Sequence, residues 1–433
     1  MSKNKLAATV FLFSCLAVVL AVVHSCRARP GADVGKNVEV SWWHINFDKP
    51  SQAVYEKVVR DFSAKNGRTS VSIVILENMD YKPKLELEFA ANDPPDIFHS
   101  WGGGGLAEQV KAGHLRDITD WVLSDRWQSK INPAALELFS HEGRVYGFPY
   151  DLGAVGFWYN RELLEKAGIR TFPGDWDSLL AMFETLKARG ITPAACGIAD
   201  RWPVMYYWVY LSMRLGGADV FKEIYAGTRR FSDPAVIRAG YMMRVLFERG
   251  YFPATGIGDD FLAQSRRMGD GMSAVQLMGQ WALAVQAQVS ERKDELTPVM
   301  AFAPFPVVRG GPGKRSDAMG GGNGFVIGKN APDEAVMLLE YFSRAENLQR
   351  LFDVFPAIPT VEAVRVSTPG LSMVKDYLSG MESFCLYPDQ LFPLSVGTAL
   401  NETSARVMVG EITPEEGARV LDAEWDRVRS RTD

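Results

Sequence analysis

Several tryptophans of the sequence stand beside glycine or polar residues at places where a strand is expected to end. Trp101 lies in "PDIFHSWGGGG", Trp202 in the polar loop "ADRWP", and Trp281 follows "LMGQ" at a strand-to-helix junction. An indole ring covers the flat C–H face of a sugar at little entropic cost. The pattern favours a site for sugars or similar ligands, although each of these tryptophans could instead be a core residue.

The glycine run after Trp101 has a second functional interpretation, a cradle for a phosphate. Such a cradle needs spaced glycines, usually a lysine, and a helix N-terminus. No GK[ST] sequence follows here, and the next basic residue, Lys111, is a turn or more into the expected helix. We therefore expect the glycines, Gly102 included, to let the backbone approach a ligand closely, while Trp101 lies against the ligand. The alternative is a tight turn with Trp101 in the core.

Polar partners for sugar hydroxyls are expected at the ends of strands and loops. In "NVEVSWWH", neighbouring side chains point to opposite faces of the strand, so we place Trp43 at the cleft and Trp42 in the core. Asp151, in "FPYDLGAV", is either a ligand contact or a residue that caps a turn. The weaker polar candidates at strand or loop ends are His44, Asp48, Glu77, Asn78 and Asn323.

Other kinds of chemistry have little support in the sequence. A glycosidase would need paired carboxylates, and no spacing or motif supports pairing Asp151 with Glu142 or Asp200. The chain has 5 His and no GxSxG, CxxC or Cys/His cluster, so we expect no catalytic triad, no metal site and no cofactor. A net charge of −5 without a basic run argues against nucleic acid as a partner.

The elements that would position these residues follow an alternating pattern. From "NVEVSWWH" to "DIFHSW" the sequence predicts β-α-β-α-β, which is typical of a parallel sheet with ligands at the carboxyl ends of its strands. Further α/β segments follow, and "RWPVMYYWVYLSMRLGG" is predicted to be a buried helix. With 433 residues, a chain of two α/β lobes fits best, crossing between them near 149–156, 320–322 and "FPAIP".

The N-terminus predicts export. "MSKNK" precedes an uncharged run at 6–23 and then Cys26, the order of a secretory signal. We expect a lipoprotein signal peptide at 1–25 and a tether at 26–36, with Cys26 lipidated; an uncleaved membrane anchor is the alternative. Of the remaining cysteines, Cys196 and Cys385 could form a disulfide or stay as buried thiols.

The sequence resembles the extracellular solute-binding proteins of ABC sugar importers, family 1, over nearly the whole mature chain. The most specific block is "HEGRVYGFPYDLGAVGFWYNRELLEKAGI", followed by "WDSLLAMFETLKARGITP". The likeness also includes "PPDIFHSWGG", "AVQLMGQWAL", "GGGNGFVIGKNAPDEAVMLLEYF" and "GEITPEEGARVLDAEW".

The resemblance implies a two-lobed α/β fold of the type II periplasmic-binding-protein class, with hinge crossovers and a cleft. Lobe I would comprise 37–152 plus 319–356, and lobe II 153–318 plus 357–433. The resemblance implies ligand contacts by Trp101, Asp151, Trp202, Trp281, His44, Asp48, Gly321, Gly322, Asn323 and Phe392.

The same resemblance implies a binding protein that delivers a mono- or oligosaccharide to ABC permease subunits. It would be a monomer without catalytic residues, anchored by lipid and facing the periplasm or the cell exterior. A glycan-degrading surface enzyme and a carbohydrate receptor without transport are the alternatives.

Overall fold

The computed structural model describes residues 37–46, 48–125, 127–355, 357–366 and 368–430, without the side chains of Ala134 and Pro369. The predicted signal peptide, the tether and Cys26 lie outside the described residues.

The first part of the chain forms the predicted β-α-β-α-β pattern. Strands β1 (Val38–His44), β2 (Thr69–Ile75) and β3 (Ile97–Ser100) pair in parallel, and helices α1 (Lys49–Lys65) and α2 (Asn78–Ala90) connect them. The side chain of Asp48 accepts the Ser51 N–H and caps α1. The next elements are α3 (Gly103–Lys111), α4 (Thr119–Val122), α5 (Pro133–Leu138), β4 (Ser140–His141), β5 (Arg144–Val145) and β6 (Gly147–Ala154).

The middle of the chain builds a second, smaller sheet. Its strands run in the order β10-β7-β9-β8, where β7 is Gly156–Asn160, β8 Thr192–Ala195, β9 Ser273–Met278 and β10 Met300–Ala303. The helices of this part are α6 (Arg161–Lys166), α7 (Trp176–Ala188), α8 (Trp202–Gly216), α9 (Val220–Tyr225), α10 (Pro234–Glu248), α11 (Phe261–Gly269) and α12 (Ala282–Val289). Nearly every residue of α8 is buried, as its apolar sequence predicts.

The last part returns to the first sheet and then covers the second. Strands β11 (Asp317–Ile327), β12 (Ile358–Pro359) and β13 (Ser383–Leu386) complete a sheet of order β12-β6-β11-β3-β1-β2, with β13 beside β11. The helices here are α13 (Asp333–Ser343), α14 (Ala345–Val354), α15 (Pro369–Ser379), α16 (Pro388–Leu391), α17 (Leu394–Met408) and α18 (Pro414–Arg429). In the part of the chain that the structure describes, no helix is long and apolar enough to cross a membrane.

The antiparallel pair β6–β11 joins the two lobes. Phe148 and Phe325 belong to the core of the larger sheet, whereas Ala154 and Met319, further along the same strands, belong to the core of the smaller one. The register of the pair shifts between Asn323 and Gly324, close to its middle. Because both strands extend through both cores, the link between the lobes is a paired ribbon of backbone.

Of the two arrangements that the sequence left open for Cys196 and Cys385, the structure shows unpaired thiols. Cys196 and Cys385 are both free and buried. Burial raises the pKa of the Cys385 thiol to about 12 and also raises that of Cys196, so neither is a reactive thiolate at neutral pH.

Candidate ligand-binding site

A cavity of about 350 Å³ lies between the lobes, beside the middle of the β6–β11 pair. Its volume falls within the range of small-molecule sites, roughly 300–1,000 Å³. Residues from both lobes line it, including Trp101 and Asp48 on one side and Trp202 and Trp281 on the other. The remaining predicted residues that line it are Gly321, Gly322 and Asn323.

Aromatic rings form much of the wall on the side of the smaller sheet. The ring centroids of Trp202 and Trp281 lie 6.4 Å apart, and Tyr206 lies 5.6 Å from Trp202. Tyr387 stacks on Tyr206 at 5.7 Å and meets Trp281 edge-on at 6.4 Å. Trp202 and Trp281 are only partly buried, so part of each ring surface is open to the cavity.

Trp101 is held on the opposite side by a layer of aromatic rings behind it. His99 and Tyr81 contact it edge-on, with centroid distances of 4.7 Å and 5.9 Å. Burial lowers the pKa of His99 to about 3, so this imidazole stays neutral at physiological pH. The ammonium of Lys82 lies 4.8 Å from the centroid of the Trp101 ring. The indole is therefore fixed in position, with a cation against it.

The glycine run after Trp101 serves packing within the protein, and the expectation that Gly102 approaches a ligand is corrected. Gly102 has φ +71° and caps α3, and a Cβ there would lie 2.3 Å from the carbonyl oxygen of Leu138. A Cβ on Gly104 would lie 2.1 Å from the carbonyl oxygen of Leu391. These glycines let α3 pack against backbone on both sides, and Gly102 does not line the cavity.

Asp151 lies one layer behind the cavity wall and is not part of its lining, which corrects its predicted role as a direct contact. It is 1% exposed and accepts hydrogen bonds from the Asn323 backbone N–H at 2.8 Å and from Asn323 Nδ2 at 2.9 Å. Burial raises the pKa of the Asp151 carboxyl to about 7, against hydrogen bonds from Asn323 and Gln280 that lower it. Asp151 thus positions Asn323 and Gln280, which do line the cavity.

The predicted contacts of strand β1 also lie outside the lining. His44 is buried on the same face of β1 as Trp42, stacked on Tyr55 at 4.2 Å. The alternation that places Trp42 in the core, as expected, places His44 there too. Trp43 is on the opposite face but packs partly buried against the cluster around Tyr81. Both residues are corrected from ligand contacts to neighbours of the site.

Phe392 is the remaining prediction that the structure does not bring to the cavity. It is fully buried, with ring centroids 5.3 Å from Phe231 and 5.2 Å from Trp425. Its segment does reach the cavity, but through the neighbouring side chains of Tyr387, Asp389 and Gln390.

Several lining residues were missed or left as weak candidates. Glu77 and Asn78, two of the weaker candidates, line the cavity, and the polar lining side chains that were not named as contacts include Asn46, Lys82, Asp200, Arg201, Gln280, Gln288, Asp389, Gln390, Thr398, Asn401 and Glu402. Arg201 has φ +69° and pairs with Glu402. Asp200 and Arg201 could have been found from their position beside Trp202. The group from Asp389 to Glu402 has no comparable local signal, because long-range packing brings it to the cavity.

The described residues contain no group of three or more His, Cys, Asp or Glu side chains that could hold a metal ion. The cavity offers aromatic surfaces, amides and carboxylates, which suit a polar ligand with an apolar face.

Comparisons with known proteins agree on one family. The model described as bacterial extracellular solute-binding protein matches residues 47–349. A probable sugar-binding periplasmic protein of Rhizobium meliloti is 24% identical over 424 residues, which cover 93% of this chain and 97% of that protein. An uncharacterized ABC transporter extracellular-binding protein of Pyrococcus horikoshii is 27% identical over 46% of this chain. The chain spans about half the length of this relative and of a second relative from Pyrococcus horikoshii, 47% and 54% respectively.

Solved structures share the fold. A chitin oligosaccharide binding protein has a TM-score of 0.84 and 24% identity, over 91% of this chain and 99% of that one. A solute-binding protein in complex with raffinose has a TM-score of 0.74 and 21% identity, over 90% and 99% of the two chains. The two-lobed type II architecture is therefore common to this chain and these proteins.

Proposed function

The chain belongs to the family of bacterial extracellular solute-binding proteins, and from that premise we propose that it is the substrate-binding component of an ABC importer. It captures a carbohydrate, a mono- or oligosaccharide, in the cavity between its lobes and delivers it to permease subunits in the membrane. Relatives named as sugar-binding periplasmic proteins, matched over nearly their full length, support this proposal.

The observation that carries the proposal is the placement of tryptophans on both sides of the cavity. Trp101 follows a strand of the larger sheet, and Trp202 and Trp281 belong to the lobe that contains the smaller sheet. We propose that sugar rings stack on these indoles, whose faces attract the C–H groups of a pyranose. Asn323 and Asp48 provide hydrogen bonds to hydroxyls, and Gly321 and Gly322 contribute the part of the cavity wall that belongs to β11.

Binding in this proposal shifts a population between an open and a closed form. The ligand first contacts one lobe, and closure adds the contacts of the other. We propose lobes of 37–152 plus 319–356 and 153–318 plus 357–433, as the sequence predicts, with the β6–β11 pair as the hinge; the start of the last segment, at Ala357, Val361 and Val364, packs in the core of the larger sheet. Since the same strands enter both cores, a small twist of this pair moves the two lobes as units.

We also propose that the protein is exported, anchored through lipidated Cys26, and monomeric. The sequence order of basic start, apolar run and cysteine supports the anchor. Cys26→Ser should abolish incorporation of labelled palmitate in cells and release the protein from the membrane fraction. Continued labelling of the variant would contradict the assignment of Cys26.

Catalysis is not part of this function. The carboxylates of the cavity bind the ligand and do not hydrolyse it, so incubation with oligosaccharides should leave their length unchanged. Chromatography of the products after prolonged incubation tests this expectation, and shortened chains would favour the glycan-degrading alternative.

A thermal-shift panel tests the proposal as a whole. A protein beginning near Gly31 is heated with mono-, di- and trisaccharides, polyols and nucleotides. A ligand that binds only the folded state raises the melting temperature by mass action. We expect a shift with one group of carbohydrates; shifts with nucleotides alone would overturn the proposal.

A further inference from the structure

Carboxylates outnumber cations among the described residues that line the cavity. The acidic side chains are those of Asp48, Glu77, Asp200, Asp389 and Glu402. The basic side chains are those of Lys82 and Arg201. The guanidinium of Arg201 already pairs with Glu402, and the ammonium of Lys82 lies against Trp101. The cavity therefore carries excess negative charge, which repels an anionic ligand such as a uronic acid.

Glu77 and Asp200 face the cavity from opposite lobes and share this excess charge. Glu77 follows β2 and caps α2 by accepting the Met79 N–H at Oε2; Asp200 accepts the Phe261 N–H at Oδ2. Within the described part of the chain, no hydrogen bond or ion pair engages Glu77 Oε1 or Asp200 Oδ1. Burial raises the pKa of Asp200, and the nearby charges of Asp260 and Glu77 raise it further. The two carboxylates therefore repel each other across the cavity.

A buried hydroxyl at the cavity is a second, independent observation that points to a polar ligand. Tyr387 lines the cavity and is 6% exposed, yet its hydroxyl has no hydrogen-bond partner among the residues that the structure describes. An unsatisfied buried polar group is costly, so a ligand that supplies a partner gains affinity. The aromatic rings of Trp202 and Phe261, 5.1 Å apart, stand beside Asp200, and such ring faces also attract cations.

We propose that the ligand is a carbohydrate bearing a protonated amine, an amino sugar or aminocyclitol, whose ammonium lies between Glu77 and Asp200. This inference rests on the proposed function and names the substrate class of the same site. An ammonium has donors and no acceptor, so it can use the free oxygen of each carboxylate at once. It replaces repulsion between the lobes by attraction, and so favours the closed form. A neutral hydroxyl has one O–H, so it can donate to only one of these two carboxylates.

Matched pairs of sugars test the inference by isothermal titration calorimetry at low salt. The probes are glucosamine and its β-1,4 oligomers of two and three rings, their N-acetylated forms, the glucose oligomers of equal length, and oligogalacturonates. We expect the free amines to bind about tenfold tighter than their acetylated and hydroxyl counterparts, and oligogalacturonates to be the weakest. Equal or tighter binding of a neutral member would overturn the inference and leave the proposed function standing. If no carbohydrate binds, both fall.

Single substitutions then locate the ammonium. Glu77→Gln and Asp200→Asn should each weaken the amine probe about tenfold and change its hydroxyl counterpart by less than about twofold. Asp80→Asn, on the same helix as Glu77 but outside the lining, removes the same charge and serves as the control. If Glu77→Gln or Asp200→Asn weakens the amine and the hydroxyl probe equally, the carboxylates bind hydroxyls. If Asp80→Asn weakens the amine probe as much as they do, the preference for the amine comes from the overall negative charge. Either result would contradict an ammonium between Glu77 and Asp200. Melting temperatures verify that each variant is folded.

Discussion

The side chains that face the cavity and those one layer behind it have different tasks. Trp281 offers an open ring surface, whereas Phe392 fills space between other rings. Asp151 is polar but buried, and its contacts fix the position of Asn323. Substitutions in the first group should change ligand affinity, and those in the second should change stability or pH dependence.

Trp281→Ala should weaken carbohydrate binding by about tenfold or more, because it removes a stacking surface. The unfolding midpoint should change little, since the ring is only partly buried. Calorimetric titration and thermal melting measure the two effects. Unfolding of this variant at ambient temperature would mean that Trp281 is a core residue.

Phe392→Ala should have the opposite effect. Removing a fully buried phenylalanine costs about 3–5 kcal/mol of unfolding free energy, because a cavity is left among Tyr225, Phe231 and Trp425. The folded protein should retain its affinity. Urea denaturation combined with ligand titration tests both outcomes. Unchanged stability with lost affinity would mean that Phe392 contacts the ligand after all.

Asp151 should make stability fall as pH rises toward neutrality. Its pKa is about 7 when folded and 3.8 ordinarily, so between these values the folded state holds a proton that the unfolded state has lost. The free energy of unfolding therefore decreases through this window. Asp151→Asn removes that contribution, so its stability relative to wild type should rise by up to about 4 kcal/mol between about pH 4 and about pH 7. Parallel denaturation profiles for the two proteins would contradict the raised pKa.

A local signal in the sequence led to some of the residues that line the cavity. Trp101, Trp202 and Trp281 follow strands or precede helices, and such positions are brought to the edge of a sheet by the fold itself. His44 was expected at the cavity, but residues two apart in a strand share a face. The alternation that places Trp42 in the core therefore also places His44 there. Asp151 was expected to line the cavity, but the sequence does not show how far a strand residue lies from the cavity surface.

Helix α3 is the element that connects the glycine run to the cavity. Its first turn packs against the backbone of the segment that carries Tyr387 and Asp389. The carboxylate of Glu108, on the same helix, accepts the Leu394 N–H at 2.8 Å. The glycines therefore place part of the cavity wall indirectly, through a contact between elements distant in sequence.

Gly104→Ala and Gly105→Ala form a matched pair for this role. The first adds a methyl 2.1 Å from the Leu391 carbonyl oxygen and should cost about 1–3 kcal/mol of stability and weaken ligand binding. The second meets nothing within 4 Å and should be neutral or stabilise by up to about 1 kcal/mol. Thermal melting and ligand titration of both variants test the idea; equal effects would contradict it.

At the level of elements, the opening β-α-β-α-β unit was predictable because its pairing is local and parallel. The approach of α16 and α17 to the cavity was not, since no periodicity reports a contact between residues almost three hundred positions apart, such as Glu108 and Leu394. Hydrophobic patterns locate helices, whereas long-range packing decides which helices meet.

In the molecule as a whole, the β6–β11 pair both connects the two lobes and lies beside the cavity. Asn323 lies at the register shift in the middle of this pair and also lines the cavity. A ligand in the cavity would contact both lobes and also Asn323, which belongs to the proposed hinge. The two lobes were predicted from alternating elements, and their connection through continuous paired strands became visible only in the structure.

Ligand binding should slow amide hydrogen exchange in both lobes at once. Protection is expected near Trp101 in one lobe and near Trp202 and Trp281 in the other, because closure is a single cooperative step. At a ligand concentration of about 100 times Kd, stability should rise by about 2.7 kcal/mol. Exchange measured with and without the carbohydrate found by thermal shift tests this; protection confined to one lobe would contradict closure.

A crystal structure of the protein with that carbohydrate would show directly whether the sugar binds in the cavity between the lobes. We expect a sugar ring against Trp101 or between Trp202 and Trp281, with polar contacts from both lobes and Asn323 within hydrogen-bonding distance. A sugar bound outside the cavity, or held by one lobe alone without contact to these tryptophans, would contradict it.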